Sequence, residues 1–252
     1  MELAIFIDNR YPIQQFDRNT YNRVYFGNDL CDIFLPSIEQ IKIIKDFSNL
    51  PLTLVYPMLS ETNFSKAIDC IAYAADVFEN NIEIVVNDWG LYHFLTTEQI
   101  NIKLAVGRIL NKNKRDVRID ELDLSMLLTP RGIDALSSPT QQHYAKYYRE
   151  MGFSRVEVDY SCAYHVTDSV EIPISIWHPF NILAVGRICP FQNNWKSYEV
   201  TTTCNLECVN EEKTYHFNNK RSQSEVIHLG NAILYKATGD IPVVCDRVIF
   251  NG

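Results

Sequence analysis

Cys189, Cys204 and Cys208 fall within one twenty-residue stretch, in the segments Gly186-Arg187-Ile188-Cys189-Pro190 and Cys204-Asn205-Leu206-Glu207-Cys208. The surroundings are polar and loop-like, with little apolar content to bury, so these thiols do not read as core packing. Three thiolates make an incomplete set for a tetrahedral zinc ion or an iron–sulfur cluster, each of which takes four ligands. Cys31, in Asp29-Leu30-Cys31-Asp32 just past a strand-like run, is the candidate fourth. All-thiolate ligation by itself does not separate iron from zinc. The remaining cysteines of the seven read as small buried hydrophobes. Cys70 lies on the apolar stripe of a helix, Cys162 follows a strand beside Ser161 and Ala163, and Cys245 follows Val243 and Val244.

Residues so far apart in sequence need a scaffold that gathers strand ends on one face. Short apolar runs recur as Leu3–Asp8, Arg23–Asn28, Leu52–Tyr56, Ile82–Val86 and Ile102–Val106, then around Val156–Val158 and Ile172–Trp177. Between them lie helical patterns. One runs from an N-cap at Ser37 to Phe47, with Ile38, Ile41, Ile43 and Ile44 in its stripe. Another covers Asn63–Phe78 on Phe64, Ala67, Ile71 and Phe78, and a short one passes through Leu91, Phe94 and Leu95. Pro139 suits the first turn of a further helix reaching Met151, which Gly152 would cap. Asn111–Ser138 is charge-rich and irregular, and in the tail Val226–Tyr235 and Val243–Phe250 read as strands.

This strand–helix alternation is the rhythm of a parallel sheet covered on both faces. Seven or eight such units in 252 residues fit a closed TIM-like (β/α) barrel. A doubly wound sheet would carry a glycine-rich loop after its first strand, whereas Asp8-Asn9-Arg10-Tyr11-Pro12 has no glycine. The expected organisation is a single barrel-like domain over 1–252. Residues 1–180 form its core, and 181–252 carry the metal-ligand segment and closing strands. Such a barrel places Cys31 and Cys189 at its C-terminal mouth, where barrel enzymes do their chemistry.

The formal net charge of −8 argues against broad nucleic-acid binding, so no DNA partner is expected. The first residues, Met1-Glu2-Leu3-Ala4-Ile5-Phe6, already form a strand pattern without a signal-peptide layout, and no apolar run is long enough to span a membrane. The expectation is a cytoplasmic protein with no membrane partner. In that compartment clustered cysteines are reduced and serve as ligands or catalysts more often than as disulfides.

Four segments carry a family resemblance. They are Gly27-Asn28-Asp29-Leu30-Cys31; Gly107-Arg108-Ile109-Leu110-Asn111 with Lys114, Arg115 and Arg118 following; Trp177-His178-Pro179 leading to Arg187-Ile188-Cys189; and Cys204-x3-Cys208. Together they resemble the collagenase-like "peptidase" family, in its short UbiV-like branch of oxygen-independent hydroxylation iron–sulfur proteins. The resemblance implies a 4Fe-4S cluster on Cys31, Cys189, Cys204 and Cys208, with zinc as the alternative. It also implies a homologous partner chain or homodimer, and a redox modification of a small-molecule or macromolecular substrate. Ile188, between arginine and cysteine, and the long gap from Cys189 to Cys204 depart from the family pattern. Two other readings stand beside this one: a non-catalytic binding barrel with a structural metal, and a peptidase, for which no G-x-S-x-G elbow or H-E-x-x-H helix is present.

Other side chains could act at the same mouth. Arg108, Lys114, Arg115 and Arg118 read either as a solvated basic surface or as a clamp for an anionic substrate. Arg187 could bind an anion or hydrogen-bond a cluster sulfur. Asp8, Asp29, Asp88 and Asp159 end strands, where acids are mostly turn-formers and caps, with a general base among them as the sharper reading. His178 is the histidine to test first. No catalytic residue is assigned.

Overall fold

A computed structural model describes residues 1–13, 16–111, 142–160, 171–191, 204–210, 213–216, 225–236 and 245–251. Lys114, Arg115, Arg118, Pro139 and Cys162 lie outside the described residues. Eight parallel strands close into a barrel. Seven come in succession: β1 (Glu2–Asp8), β2 (Arg23–Gly27), β3 (Leu52–Tyr56), β4 (Ile82–Val86), β5 (Lys103–Val106), β6 (Arg155–Asp159) and β7 (Ile174–His178). The eighth, β12 (Arg247–Asn251), enters between β7 and β1, so that Glu2 pairs with Arg247 and Phe6 with Asn251. The fold is the TIM-like α/β barrel that the alternation predicts.

Helices cover the outside. α1 (Ile38–Phe47) starts from a capping box in which Ser37 Oγ accepts from the Gln40 N–H and the Gln40 side chain accepts from the Ser37 N–H. α2 (Glu61–Phe78) and α3 (Trp89–Thr97) follow the expected stripes, and α4 (Gln142–Glu150) ends next to Met151, where its end was expected. Gly152 ends α4 at φ +86°, in the left-handed region that favours glycine. Alternate strand residues face the helices, and Ile41, Ile44, Leu54, Ile71, Ile84 and Val156 join in that outer core. Cys70 belongs to it, buried, with its S–H donating to the Pro36 carbonyl at 3.0 Å. Cys245 is buried there too.

The other strand residues point inward and stack in layers. Ala4, Phe6, Tyr25, Val55, Val85, Ala105, Trp177 and Ile249 form an apolar filling. Towards the N-terminal ends of the strands a charged layer follows, in which Arg247 meets Glu2 and Glu83, and Arg23 meets Glu2. The strand patterns did not announce Glu83 as a buried acid.

A second sheet departs from expectation. β8 (Phe180–Val185), β9 (Lys213–His216), β10 (Glu225–Leu229) and β11 (Ala232–Lys236) form an antiparallel sheet in the order β8-β11-β10-β9. The stretch Val226–Tyr235, which reads as one strand, is a hairpin folded at Gly230 and Asn231, with Leu229 paired to Ala232. Ile182, Ala232 and Leu234 pack with Leu30 and Ile109, which follow β2 and β5. The sheet therefore sits over the C-terminal mouth of the barrel. Among the described residues no helix is long and apolar enough to cross a membrane.

Candidate metal centre

The loop after β2 is built on Asn28, a buried side chain that donates from Nδ2 to Asp8 Oδ1 at 2.9 Å. Its Oδ1 accepts from the backbone N–H groups of Leu30 and Cys31 at 2.9 and 2.8 Å. This side-chain turn fixes the direction in which Cys31 leaves the strand. From the second sheet, Asn231 Nδ2 donates to the Leu30 carbonyl at 2.6 Å and to the Gly186 carbonyl at 2.7 Å. One side chain thus ties the Cys31 loop, the end of β8 that leads to Cys189, and the hairpin turn.

The short helix α5 (Glu207–Asn210) carries Cys208 under that turn. Gly230 turns the chain at φ +60°, in the left-handed region that favours glycine, and lies in van der Waals range of Cys208 Sγ. Cys208 packs with Phe34 and Phe191, and Cys31 and Cys189 lie against the same group. All four expected cysteines, Cys31, Cys189, Cys204 and Cys208, line one cavity of about 230 Å³. Arg10, Asp32 and Arg187 share its lining.

Cys31, Cys204 and Cys208 sit in surroundings that resist ionisation. Burial pushes the Cys31 thiol up to about 11, with Asp32 and the neighbouring thiols adding to the effect. Burial also raises Cys204 and Cys208; Glu207 and Cys189 reinforce it at the first, and Cys189 and Cys204 at the second, where Arg10 opposes it. Backbone N–H groups two residues on already face two of the sulfurs, Ile33 at Cys31 and Leu206 at Cys204, the latter at 3.4 Å. The arrangement suits thiolates once a cation is present to offset their mutual repulsion, and loading would release protons. Among the described residues, no group of three or more His, Cys, Asp or Glu side chains is placed to hold a metal ion.

No family model and no curated protein matches the chain. Its fold aligns over 100% of its length, and over 92% of the other chain, with a solved structure of a U32 peptidase, at 12% identity and a TM-score of 0.45.

The remaining sequence candidates divide. Arg108 is neither a solvated basic residue nor an open anion clamp. Its side chain is 4% exposed, and it donates from Nε to Asp29 Oδ2 at 2.7 Å and from Nη1 to Asp159 Oδ1 at 3.0 Å and the Phe180 carbonyl at 2.8 Å. Its guanidinium also lies 4.2 Å from the Trp177 ring centroid. Two of the strand-end acids are thereby its structural partners. Asp88 caps α3 by accepting from the Leu91 N–H at 3.0 Å, and Asp8 binds Arg10. His178 packs between Tyr160 and Phe250, and burial holds its pKa below the usual histidine value. Arg187 does reach the cysteine cavity.

Two residues of the site escaped the sequence reading. Arg10 lines the cysteine cavity and a second one beside it, and its signal was only its place two residues past a strand end. Asn231 stands in a Gly-Asn pair between alternating apolar residues, which is a hairpin signature.

Proposed function

We propose that Cys31, Cys189, Cys204 and Cys208 hold a 4Fe-4S cluster, and that the protein acts in oxygen-independent hydroxylation or a related redox modification of an organic substrate. The observation that carries the reading is the convergence of four thiols from three separate chain segments on one cavity at the barrel mouth. A cluster held there would supply one-electron transfer, and ligation by four thiolates leaves no open iron for substrate, which favours relay. The chain's own part is to hold and tune. Ile33 and Leu206 offer backbone N–H groups to sulfur, Arg187 brings positive charge to the cavity, Arg10 reaches it from its ion pair with Asp8, and Phe34 and Phe191 pack apolar surface against Cys31, Cys189 and Cys208. A homologous partner chain, as the family resemblance implies, completes the proposal.

Anaerobic purification tests it. Brown protein with broad visible absorbance and about four iron and four sulfide per chain is the expected result. Colourless protein with one zinc overturns it. Cys204→Ser should lose the iron and the colour, whereas Cys70→Ser, whose thiol bonds the Pro36 carbonyl away from the site, should keep both. Equal loss in the two variants would refute the sorting of the cysteines.

A further inference from the structure

A second, larger cavity of about 380 Å³ lies between the end of β1 and the overlying sheet. Its size is in the range of ~300–1,000 Å³ that holds small organic molecules. Phe6 and Phe16 line it from the barrel side, and Phe180, Ile227, Leu229 and Leu234 from the sheet. Four charged residues also border it, and each is engaged with another of the four. Asp8 is joined to Arg10, with Arg10 Nε donating to Asp8 Oδ2 at 2.9 Å. Asp29 is joined to Arg108, at 2.7 Å.

The lining charges therefore cancel in pairs, and an ionic ligand would have to break one of them. A charge brought into such apolar walls loses its hydration without gaining a counter-charge. A neutral apolar molecule only displaces water from apolar surface, which is favourable. Arg10 donates to Asp8 through Nε and Nη2, so the hydrogens on Nη1 remain for an oxygen of the ligand.

We infer that this cavity binds a neutral, largely apolar small molecule carrying one hydrogen-bond acceptor at its Arg10 end. Arg10 and Leu30 line this cavity and the cysteine cavity alike, so such a ligand lies against the wall behind which the thiols converge. The inference rests on the lining of this cavity and not on the metal reading. Failure of one therefore leaves the other to be judged separately.

The test uses two fluorescent probes with the same ring body, neutral N-phenylnaphthylamine and its anionic relative anilinonaphthalene sulfonate, titrated into the full anaerobically purified chain. Saturable binding of the neutral probe at one site per chain is expected, with the sulfonate at least tenfold weaker. Leu229→Trp and Ile227→Trp, which fill the cavity from the sheet side, should each weaken the neutral probe at least tenfold while iron content stays at the wild-type level. Equal or tighter sulfonate binding overturns the inference, and so does unchanged neutral binding in both filled variants. If neither variant folds, a photoreactive neutral naphthalene decides on the wild type. Labelling of peptides spanning Ile5–Pro12 and Ile227–Leu234 supports the site, and labelling elsewhere refutes it.

Discussion

Glu157 is a carboxyl sealed inside the barrel, 0% exposed, with Oε2 accepting from Trp177 Nε1 at 2.8 Å. Burial pushes its pKa up to about 7, against hydrogen bonds from Trp177 and Tyr25 that act the other way. From its ordinary value of 4.5 up to about 7, the folded chain therefore holds a proton that the unfolded chain has released. Unfolding free energy falls as pH rises through that window and levels off above it. The group contributes on the order of 3 kcal/mol at the acid end, from the ~1.4 kcal/mol that each pH unit represents. His178 acts in the opposite sense, because burial lowers its pKa and its contribution is lost as pH falls through the ordinary histidine range. Glu2 and Glu83 are held below the usual carboxylate range: burial, the largest influence on each, would raise them, but the arginines outweigh it. Their contributions are thus lost only at more acid pH. Glu157→Gln keeps an oxygen for Trp177 and removes the proton. Its melting temperature should gain on the wild type steadily from about pH 5 to about pH 7, and a parallel pair of pH profiles would disprove the protonation of Glu157. Such a residue is invisible in the strand pattern Val156-Glu157-Val158, which reads as ordinary alternation with one polar face.

At the scale of elements, the site depends on how the second sheet is fastened over the mouth. Asn231 makes that joint, with two donations that bridge the Leu30 and Gly186 carbonyls. Asn231→Ala should destabilise the protein by only about 1–2 kcal/mol, since each bond contributes about 1 kcal/mol net. Its local effect should be larger. Amide exchange should accelerate at Leu30–Phe34 and Gly186–Phe191 while β3 and β4 keep their protection; unchanged exchange in both loops would show that the apolar contacts of Leu30 suffice. The barrel units were legible because each strand and helix announces itself locally, down to the N-cap at Ser37. That Cys31, Cys189, Cys204 and Cys208 line one cavity was legible from the segments that carry them, but the apolar packing of Cys208 against Phe34 and Phe191 was not, because those two side chains come from other loops. The joint between the barrel and the cysteine segments was not legible either, because Asn231 and Leu30 are 201 residues apart and no local pattern links them. The hairpin itself was readable, and taking Val226–Tyr235 as one strand ignored its Gly-Asn pair. Strand β8 was obscured by Pro179, which reads as a stop after His178. Arg108 was found by position but misread in role, because its partners Asp29 and Asp159 come from other strand ends that only the closed barrel brings to it.

For the molecule as a whole, the closure between the first strand and the last joins the ends of the described chain, and Arg247 is the side chain at that seam. It lies 2% exposed and donates from Nε to Glu2 Oε2 at 2.6 Å, and from Nη1 to Tyr25 Oη at 2.6 Å and Glu83 Oε1 at 2.5 Å. These partners come from β1, β2 and β4, so a guanidinium on β12 connects three other staves of the barrel. The pairing of β12 with β1 and β7 supplies backbone bonds along the seam, and Val248 and Ile249 add apolar burial. Two effects compete when Arg247 is removed: the seam keeps those bonds and contacts, but buried Glu83 loses its closest cation and is left with Arg155 at 3.9 Å, while Glu2, partly buried, keeps Arg23 at 2.8 Å. The second effect should dominate, because a buried carboxylate stripped of its partner typically costs about 3–5 kcal/mol, whereas the lost methylenes amount to ~1 kcal/mol each. Arg247→Ala should therefore be among the most destabilising single substitutions in the chain at neutral pH. It should also recover stability below about pH 5, where the two glutamates can protonate. That recovery separates charge from packing, since a variant that merely lost side-chain contacts would be equally weak at both pH values. Denaturant titrations of Arg247→Ala and wild type at neutral and acid pH provide the comparison, and a loss that does not shrink on acidification would mean that the seam is held by its backbone and apolar contacts instead.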